Sequence, residues 1–214
     1  MQLSARPPAA SGARGRGAAR GFTLIELMVT LVLVGLLLTL GLPSFTTWIR
    51  NSQVRSVAEA LQDGVRIAQT EAVRRNQAVV LAFTNDANPR RNPATAAGGR
   101  NWVAQTVTSA FVADGATEFI RAGALADVAS GVGIASTPAV DAICFNANGR
   151  LVASAAPAAA PSTASCAATR AVFDISHPGS DRALRIIVAL GGQVRMCDPK
   201  RGVLSAAIPD GCPP

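Results

Sequence analysis

The sequence predicts an α+β protein in which one long N-terminal helix packs on a domain of antiparallel β-sheet. Residues 22–49 form an apolar run whose only charged side chain is Glu26, and residues 50–75 continue it with apolar side chains at spacings of three and four. That periodicity is typical of one face of a helix. Beyond residue 77, short runs rich in β-branched and aromatic residues alternate with Gly, Pro and Asn, as in strands joined by turns.

The apolar run is long enough to cross a membrane. A helix crosses the ~30 Å hydrocarbon layer of a bilayer with about 20 residues, and residues 27–49 carry no charge. Glu26 is unusual in this setting, because a charged residue in a membrane helix costs roughly 2.5–3.5 kcal/mol on insertion scales. Gly35, Gly41 and Pro43 interrupt the run, and they predict a softer part of the helix, since Gly and Pro are poor helix formers.

The second half of the helix is amphipathic and ends near Asn76. The apolar face that we expect to pack on the sheet consists of Val54, Val57, Ala58, Leu61, Val65, Ala68 and Ala72. The charged residues around it are expected to be solvated, and they are Arg50, Arg55, Glu59, Arg66, Glu71 and Arg74.

Short strands follow the helix. They are predicted at residues 78–84, 101–111, 117–121, 171–176, 183–190 and 193–197. Residues 142–152 predict a further hairpin, whose Asn-Ala-Asn-Gly turn needs a positive φ at Gly149. The last three strands have short connections and predict an antiparallel meander. Residues 153–169 are predicted to form an exposed loop, and Trp102 is expected to lie in the core.

Four cysteines point to disulfides rather than to a metal. They are Cys144, Cys166, Cys197 and Cys212, they contain no Cys-x-x-Cys pair, and the single histidine, His177, is distant from all of them in sequence. In an exported domain an even number of cysteines indicates disulfides. Three pairings are open; we favour Cys144–Cys166 and Cys197–Cys212, because each closes a segment with little else to hold it.

The basic character of the chain belongs largely to its first residues. The formal charge is +7, and Arg6, Arg14, Arg16 and Arg20 precede Phe22 without any acidic residue. Loss of this segment would lower the side-chain charge to +3, because four arginines go with it. The high isoelectric point is therefore a poor argument for nucleic-acid binding by the rest of the chain.

The junction Arg20-Gly21-Phe22-Thr23-Leu24-Ile25-Glu26-Leu27 resembles the N-terminal signature of type IV prepilins and type II secretion pseudopilins. The resemblance implies that a prepilin peptidase cuts between Gly21 and Phe22 and methylates the new amine. It also implies that Glu26 pairs with the Phe22 amine of a neighbouring subunit during assembly. Residues 1–21 would then be a leader, 22–49 a transmembrane and assembly helix, 50–76 its amphipathic continuation, and 77–214 a periplasmic β-rich domain.

Three further segments resemble the GspH/FimT group of minor pilins and pseudopilins, namely residues 71–80, 144–151 and 185–197. The resemblance implies a type IV pilin-like fold and a structural subunit near the tip of a type IV pilus or in its priming complex. The alternative is a GspH-like minor pseudopilin of a type II secretion system. The implied partners are other major and minor pilins or pseudopilins, the prepilin peptidase and an inner-membrane assembly platform. The implied location is the inner membrane, crossed once, and then the filament.

Some FimT-like minor pilins bind DNA through a Gly-Arg-x-Arg element near the C-terminus. This chain has Gly192-Gln193-Val194-Arg195 at the matching place, so the first arginine of the element is missing. The candidate DNA-binding residues are Arg182, Arg185, Arg195, Lys200 and Arg201, and they would contact phosphates rather than bases.

The residues give no support for catalysis. Gly191 and Gly192 lie between two predicted strands, so a hairpin turn explains them better than a phosphate-binding loop. We expect no enzyme activity, no cofactor and no metal.

Overall fold

The computed structural model describes residues 21–107, 117–153, 166 and 169–214, with the backbone alone for 40–43. One long helix, α1 (Leu24–Arg75), comes first. The elements after it are β1 (Val79–Thr84), β2 (Asn101–Thr106), β3 (Phe119–Ala124), α2 (Leu125–Val128), β4 (Gly133–Thr137), β5 (Ala142–Phe145), β6 (Ala171–Ser176), β7 (Leu184–Val188) and β8 (Val194–Cys197), followed by a 3-10 turn at Pro199–Arg201.

The chain divides into two compact units, Met1–Leu42 and Pro43–Pro214. In the first unit the described residues after Thr23 are helical, and the large apolar side chains from Leu24 to Leu38 are exposed. The second unit contains the rest of α1 and all of the strands. Its helix ends where Asn76 takes a positive φ of 49°, a conformation that commonly ends helices.

The strands form two four-stranded sheets. The first has the order β3-β2-β1-β5 and the second the order β4-β6-β7-β8, and all of the neighbouring strands are antiparallel. The predicted meander is therefore present as β6-β7-β8. The sequence did not predict β4, which pairs with the far edge of β6 and extends this meander to a four-stranded sheet.

A single large core lies between α1 and the inner faces of both sheets. All seven residues of the predicted apolar face of α1 are buried, as is Trp102. The two sheets meet in this core, where the ring centroids of Phe83 on β1 and Phe173 on β6 are 5.2 Å apart. Burial of a side chain such as Phe or Leu stabilises the fold by about 1.5–3 kcal/mol, so this contact surface is the main reason that α1 stays on the sheets.

Trp102 fills its place because two glycines make room for it. A Cβ atom on Gly64 of α1 would lie 2.6 Å from the indole ring, and one on Gly123 of β3 would lie 2.4 Å from it. The ring therefore lies between helix and strand, where larger residues would exclude it.

The hairpin predicted at residues 142–152 is only partly formed. Its first strand is β5, and Gly149 has the predicted positive φ of 71°. The predicted second strand is shortened to an isolated antiparallel bridge between Leu151 and Phe145, beside which the backbone N–H of Val152 bonds to the carbonyl of Cys144. The N–H of Leu151 points away from β5 and bonds to the carbonyl of Leu190. This segment therefore bonds both to β5 and to the residues just after β7. The part of the second predicted strand after residue 107, and most of the predicted loop, lie outside the described residues.

Candidate assembly helix and basic surface

The first turn of α1 is capped by Thr23. Its hydroxyl oxygen accepts a hydrogen bond from the backbone N–H of Glu26, with a distance of 3.2 Å. A Thr followed three residues later by Glu is a capping-box sequence, in which the threonine satisfies one of the free N–H groups at the helix start. The Thr23-Leu24-Ile25-Glu26 segment thus begins the helix by local chemistry, before any partner is considered.

Glu26 lies in this first turn and is exposed. A carboxylate is favoured there because the N-terminus of a helix carries a partial positive charge. Among the described residues, Glu26 makes no ion pair. Phe22, four residues before Glu26, is 82% exposed. Both residues that the sequence singled out for assembly are therefore exposed in the isolated chain.

The backbone of α1 stays helical through Gly35, Gly41 and Pro43. A Cβ atom placed on Gly35 would meet nothing within 4 Å. Packing within the isolated chain therefore does not require a glycine at position 35.

Both disulfides join the cysteines that the sequence analysis favoured as pairs. Cys144 on β5 is bonded to Cys166, and Cys197 at the end of β8 is bonded to Cys212. The first lies on the outer face of the first sheet, where Cys144 is part of a small buried cluster with Val80 and Ala82. The second fastens the C-terminal tail alongside β8.

Three of the five candidate basic residues are paired with carboxylates. Arg182 contacts the buried Asp198 at 3.0 Å, Arg185 contacts Asp174 at 2.7 Å, and Arg201 contacts Asp210 at 3.3 Å. The Arg185 pair is a direct cross-strand pair between β7 and β6. Its hydrogen bond to Asp174 raises the pKa of Arg185 above the usual range. Each pair reduces the positive charge that the arginine presents to a phosphate.

The other two bind backbone carbonyls. Arg195 donates to the carbonyl of Pro209 at 3.0 Å, and the ammonium of Lys200 donates to the carbonyl of Asp181. Arg195 and Lys200 therefore keep their charge free of a carboxylate among the described residues. The tail does lie beside the β7–β8 hairpin, since Arg195 on β8 bonds to the carbonyl of Pro209 and Cys197 is bonded to Cys212.

Lys200 and Arg182 lie at the N-terminal end of the helix in the second unit. The side-chain oxygen of Asn51 accepts hydrogen bonds from the backbone N–H groups of Asp181 and Arg182, at 3.2 and 3.3 Å. Because Lys200 binds the carbonyl of Asp181, this basic pair lies next to the point at which the apolar run ends.

A charged cluster that the sequence analysis treated only as a solvated face lies at the other end of α1. Arg74 donates two hydrogen bonds to Glu71, at 2.9 and 2.6 Å, and Arg75 donates one at 2.7 Å and also contacts Glu118. The hydrogen bonds from Arg74 and Arg75 lower the pKa of Glu71 to about 2. The spacing of three and four was visible in the sequence, whereas Glu118 is brought in by the fold.

An exposed aromatic pair was also missed. The rings of Phe45 and Trp48 stack with centroids 5.9 Å apart, and both side chains are more than half exposed. Beside Trp48 lies a cavity of about 290 Å³, lined by Trp48, Asn51, Ser52, Arg55, Arg182 and Leu184. The position of both aromatics near the end of an apolar run was the signal that could have found them.

The described residues bring together no group of three or more His, Cys, Asp or Glu side chains that could hold a metal ion. They include one helix, α1, that is long and apolar enough to cross a membrane.

Comparison with known proteins identifies the family. Residues 57–192 match the family described as type II transport protein GspH, and residues 16–42 match the prokaryotic N-terminal methylation motif. No curated protein matches the chain. The type IV minor pilin FimU of Pseudomonas aeruginosa is 20% identical, with a TM-score of 0.48 over 77% of this chain and 98% of that one. The minor pseudopilin EpsH of the Vibrio cholerae Type 2 Secretion System is 14% identical, with a TM-score of 0.44 over 69% of this chain and 98% of that one.

The GspH match spans more than half of the chain and includes most of the helix face and strands described above. The methylation-motif match contains the capped turn with Phe22 and Glu26. The chain therefore belongs to the GspH family, and it is a minor pilin or pseudopilin of the type IV pilus or type II secretion type.

Proposed function

We propose that this chain is a minor pilin, a non-enzymatic structural subunit that is incorporated into a type IV pilus near its tip or in its priming complex. Before assembly it crosses the inner membrane once, with the β-sheet unit in the periplasm. The alternative is a minor pseudopilin of a type II secretion system, which would use the same helix in the same way.

The observation that carries this proposal is the exposure of the apolar part of α1. Each large apolar side chain from Leu24 to Leu38 is at least 49% exposed in the isolated chain. Such a surface is stable only in lipid or against other apolar helices, because contiguous apolar patches of this size are rarely left in water. A subunit that moves from a membrane to a bundle of helices meets both requirements in turn.

Glu26 supplies the register of that bundle. In a water-free bundle a carboxylate is tolerated only if it is paired. Cleavage between Gly21 and Phe22 would create an amine four residues before Glu26 in every subunit. A carboxylate that pairs with the amine of the next subunit fixes how far one helix is displaced along the other. The prepilin peptidase and the assembly platform are the partners that this processing requires.

Mass spectrometry of the purified filament fraction tests the proposal. The chain should be present with Phe22 as its methylated N-terminus. Intact Met1 in the filament would contradict it, as would absence of the chain from any filament. The proteins that co-purify separate the two systems, since pilins indicate a type IV pilus and pseudopilins indicate type II secretion.

DNA binding for uptake is the second candidate function, and one feature favours it. Arg195 and Lys200 have carbonyl rather than carboxylate partners and lie on the hairpin and the tail that the Cys197–Cys212 disulfide joins. The pairing of Arg182, Arg185 and Arg201 with carboxylates leaves little further charge for DNA, so the structural role is the better supported of the two.

A further inference from the structure

One surface of the second unit combines aromatic and basic side chains beside the end of the apolar run. We call it the interfacial surface, and it consists of Phe45, Trp48, Arg50, Arg182 and Lys200. The cavity lined by Trp48, Arg182 and four neighbours opens within it.

The turn between β6 and β7 is fixed against the helix at this surface. Asn51 accepts hydrogen bonds from two backbone N–H groups of the turn, and its side-chain amide donates one to the carboxylate of Asp181. Gly179 lies so close to Arg50 that a Cβ atom there would be 2.0 Å from a guanidinium nitrogen. Arg182, Lys200 and Arg50 are thus brought together at the first helical turn beyond Ile49.

Helix geometry sets the level of this surface when the apolar run is in a membrane. A helix rises about 1.5 Å per residue, so residues 27–49 extend over roughly 34 Å. The hydrocarbon layer is ~30 Å thick and the headgroup regions bring the total to about 40–45 Å. Counted along the helix from residue 27, Trp48 and Arg50 would lie at about 32 and 35 Å, among the headgroups, and Phe45 at about 27 Å, just inside the hydrocarbon layer. Trp is enriched at that level because its ring is apolar and its N–H is polar.

The surface also carries excess positive charge. Arg50 has no ion pair among the described residues, and Lys200 has only a carbonyl acceptor. Arg182 shares its charge with Asp198, and Arg55, at the rim of the cavity, shares its charge with Glu59. Two unpaired cations at headgroup level, next to a cavity with a Trp wall, suit a phosphate attached to an acyl chain.

We propose that the interfacial surface binds the phosphates of anionic phospholipids and holds the β-sheet unit on the bilayer before assembly. This inference rests on the proposed function, since it requires the apolar run to be membrane-inserted. The lipid is favoured over DNA as the source of phosphate because Phe45 and Trp48 continue the apolar run into the same surface. Release from these phosphates would accompany extraction into the filament.

The test uses the mature chain in nanodiscs of phosphatidylcholine, with and without phosphatidylglycerol. Amide hydrogen exchange of residues 177–183 should slow by about fivefold or more when the anionic lipid is present, because each basic residue near an anionic surface contributes about 1 kcal/mol. Bromine placed on the acyl chains near the headgroup should quench Trp48. Trp102 is only 4% exposed in the domain core and supplies a constant background.

Variants give the specificity. Arg50→Gln with Lys200→Gln should abolish the effect of phosphatidylglycerol, and Arg50→Lys should retain it. Arg150→Gln is the matched control, an exposed arginine in the turn that contacts Gln69, about 27 Å further along the helix; it should change nothing. Arg182 is left intact, because it partners the buried Asp198.

The contrary outcomes are distinct. A chain that enters the nanodiscs but exchanges at one rate in both lipids would overturn the lipid site and leave the proposed function standing. If Arg150→Gln abolished the effect of phosphatidylglycerol as completely as the double variant, the lipid site would also be overturned. If a short DNA duplex slowed the amide exchange of residues 177–183 in nanodiscs of phosphatidylcholine alone, the phosphate site would be assigned to DNA. A chain that fails to insert would overturn the proposed function together with this inference.

Discussion

The side-chain amide of Gln69 on α1 donates a hydrogen bond to the carbonyl oxygen of Gly149, with nitrogen and oxygen 2.9 Å apart. The turn after β7 closes on this pair from the other side. A Cβ atom on Gly192 would lie 2.0 Å from the Gly149 oxygen and 2.2 Å from the Gln69 nitrogen. The helix, the first sheet and the second sheet therefore meet at the Gln69–Gly149 hydrogen bond. Only a glycine fits at position 192 beside it.

Gly192→Ala should lower the free energy of unfolding by about 3 kcal/mol. Gly192 has a φ of +86°, which costs a non-glycine residue about 1–3 kcal/mol, and the new methyl group would also push Gly149 away. Gly191→Ala is the control, because its Cβ would meet nothing within 4 Å, and it should stay within about 0.5 kcal/mol of the parent. Urea unfolding of the full chain in detergent measures both. If both variants lowered the free energy of unfolding equally, the close approach of Gly192 to Gly149 and Gln69 would not matter for stability.

Glu71 should stabilise the helix end in a pH-dependent way. Its pKa falls from an ordinary 4.5 to about 2, so its contribution is present above pH 4.5 and is lost as the pH falls towards 2. Because Arg74 is largely solvent-exposed, we expect only about 1 kcal/mol from Glu71→Gln at neutral pH. At pH 3 the difference from the parent should shrink to less than about half. Glu59→Gln, in an exposed pair with Arg55, should have almost no effect at either pH.

Glu26→Val should leave membrane insertion intact and prevent incorporation into filaments, and Glu26→Ala should do the same. The reason is that the Phe22 amine of the neighbouring subunit loses its carboxylate. Thr23→Ala separates this role from capping, since it removes the hydroxyl that caps the turn and keeps the carboxylate. We expect Thr23→Ala to be incorporated. Quantitative blotting of membrane and filament fractions distinguishes the two, and normal incorporation of Glu26→Val would refute the pairing.

Joint replacement of Gly35, Gly41 and Pro43 by Ala should stiffen the middle of the apolar run. Gly costs about 1 kcal/mol and Pro about 3 kcal/mol relative to Ala in a helix interior. Family resemblance implies that this segment loses helicity as the subunit enters a fibre. Hydrogen exchange of residues 35–43 in filaments should be slower in the triple variant than in the parent. Identical exchange would count against a flexible segment.

DNA binding, if the chain has it, should be weak, independent of sequence and sensitive to salt, because only phosphate contacts are available. The variant with Arg195→Ala, Lys200→Ala and Arg201→Ala should bind less in a low-salt mobility-shift assay. Arg185→Ala is a useful comparison, since its charge is already paired with Asp174 and its loss should matter less. Equal binding by the parent and the triple variant, or none by either, would leave the structural role alone.

The sequence by itself determined the helix and its faces. The buried residues of α1 recur at spacings of three and four, and that periodicity depends only on local backbone geometry. The end of α1 at Asn76 and the positive φ at Gly149 were equally local, because the residue type decides which backbone conformation is available. The motif at Phe22 and Glu26 needed no fold at all to be recognised.

The tertiary structure decided which strands are neighbours and which charges are paired. Nothing in the spacing of residues 133–137 shows that they form β4 on the edge of β6, since strand order depends on non-local contacts. For the same reason Arg182 and Asp198, or Arg75 and Glu118, could not be matched in advance. The return segment of the predicted hairpin also bonds to the second sheet, through the N–H of Leu151 and the carbonyl of Leu190 just after β7, and no local pattern indicates that contact. Local pattern specifies an element and its faces, whereas its partners are chosen by packing between distant parts of the chain.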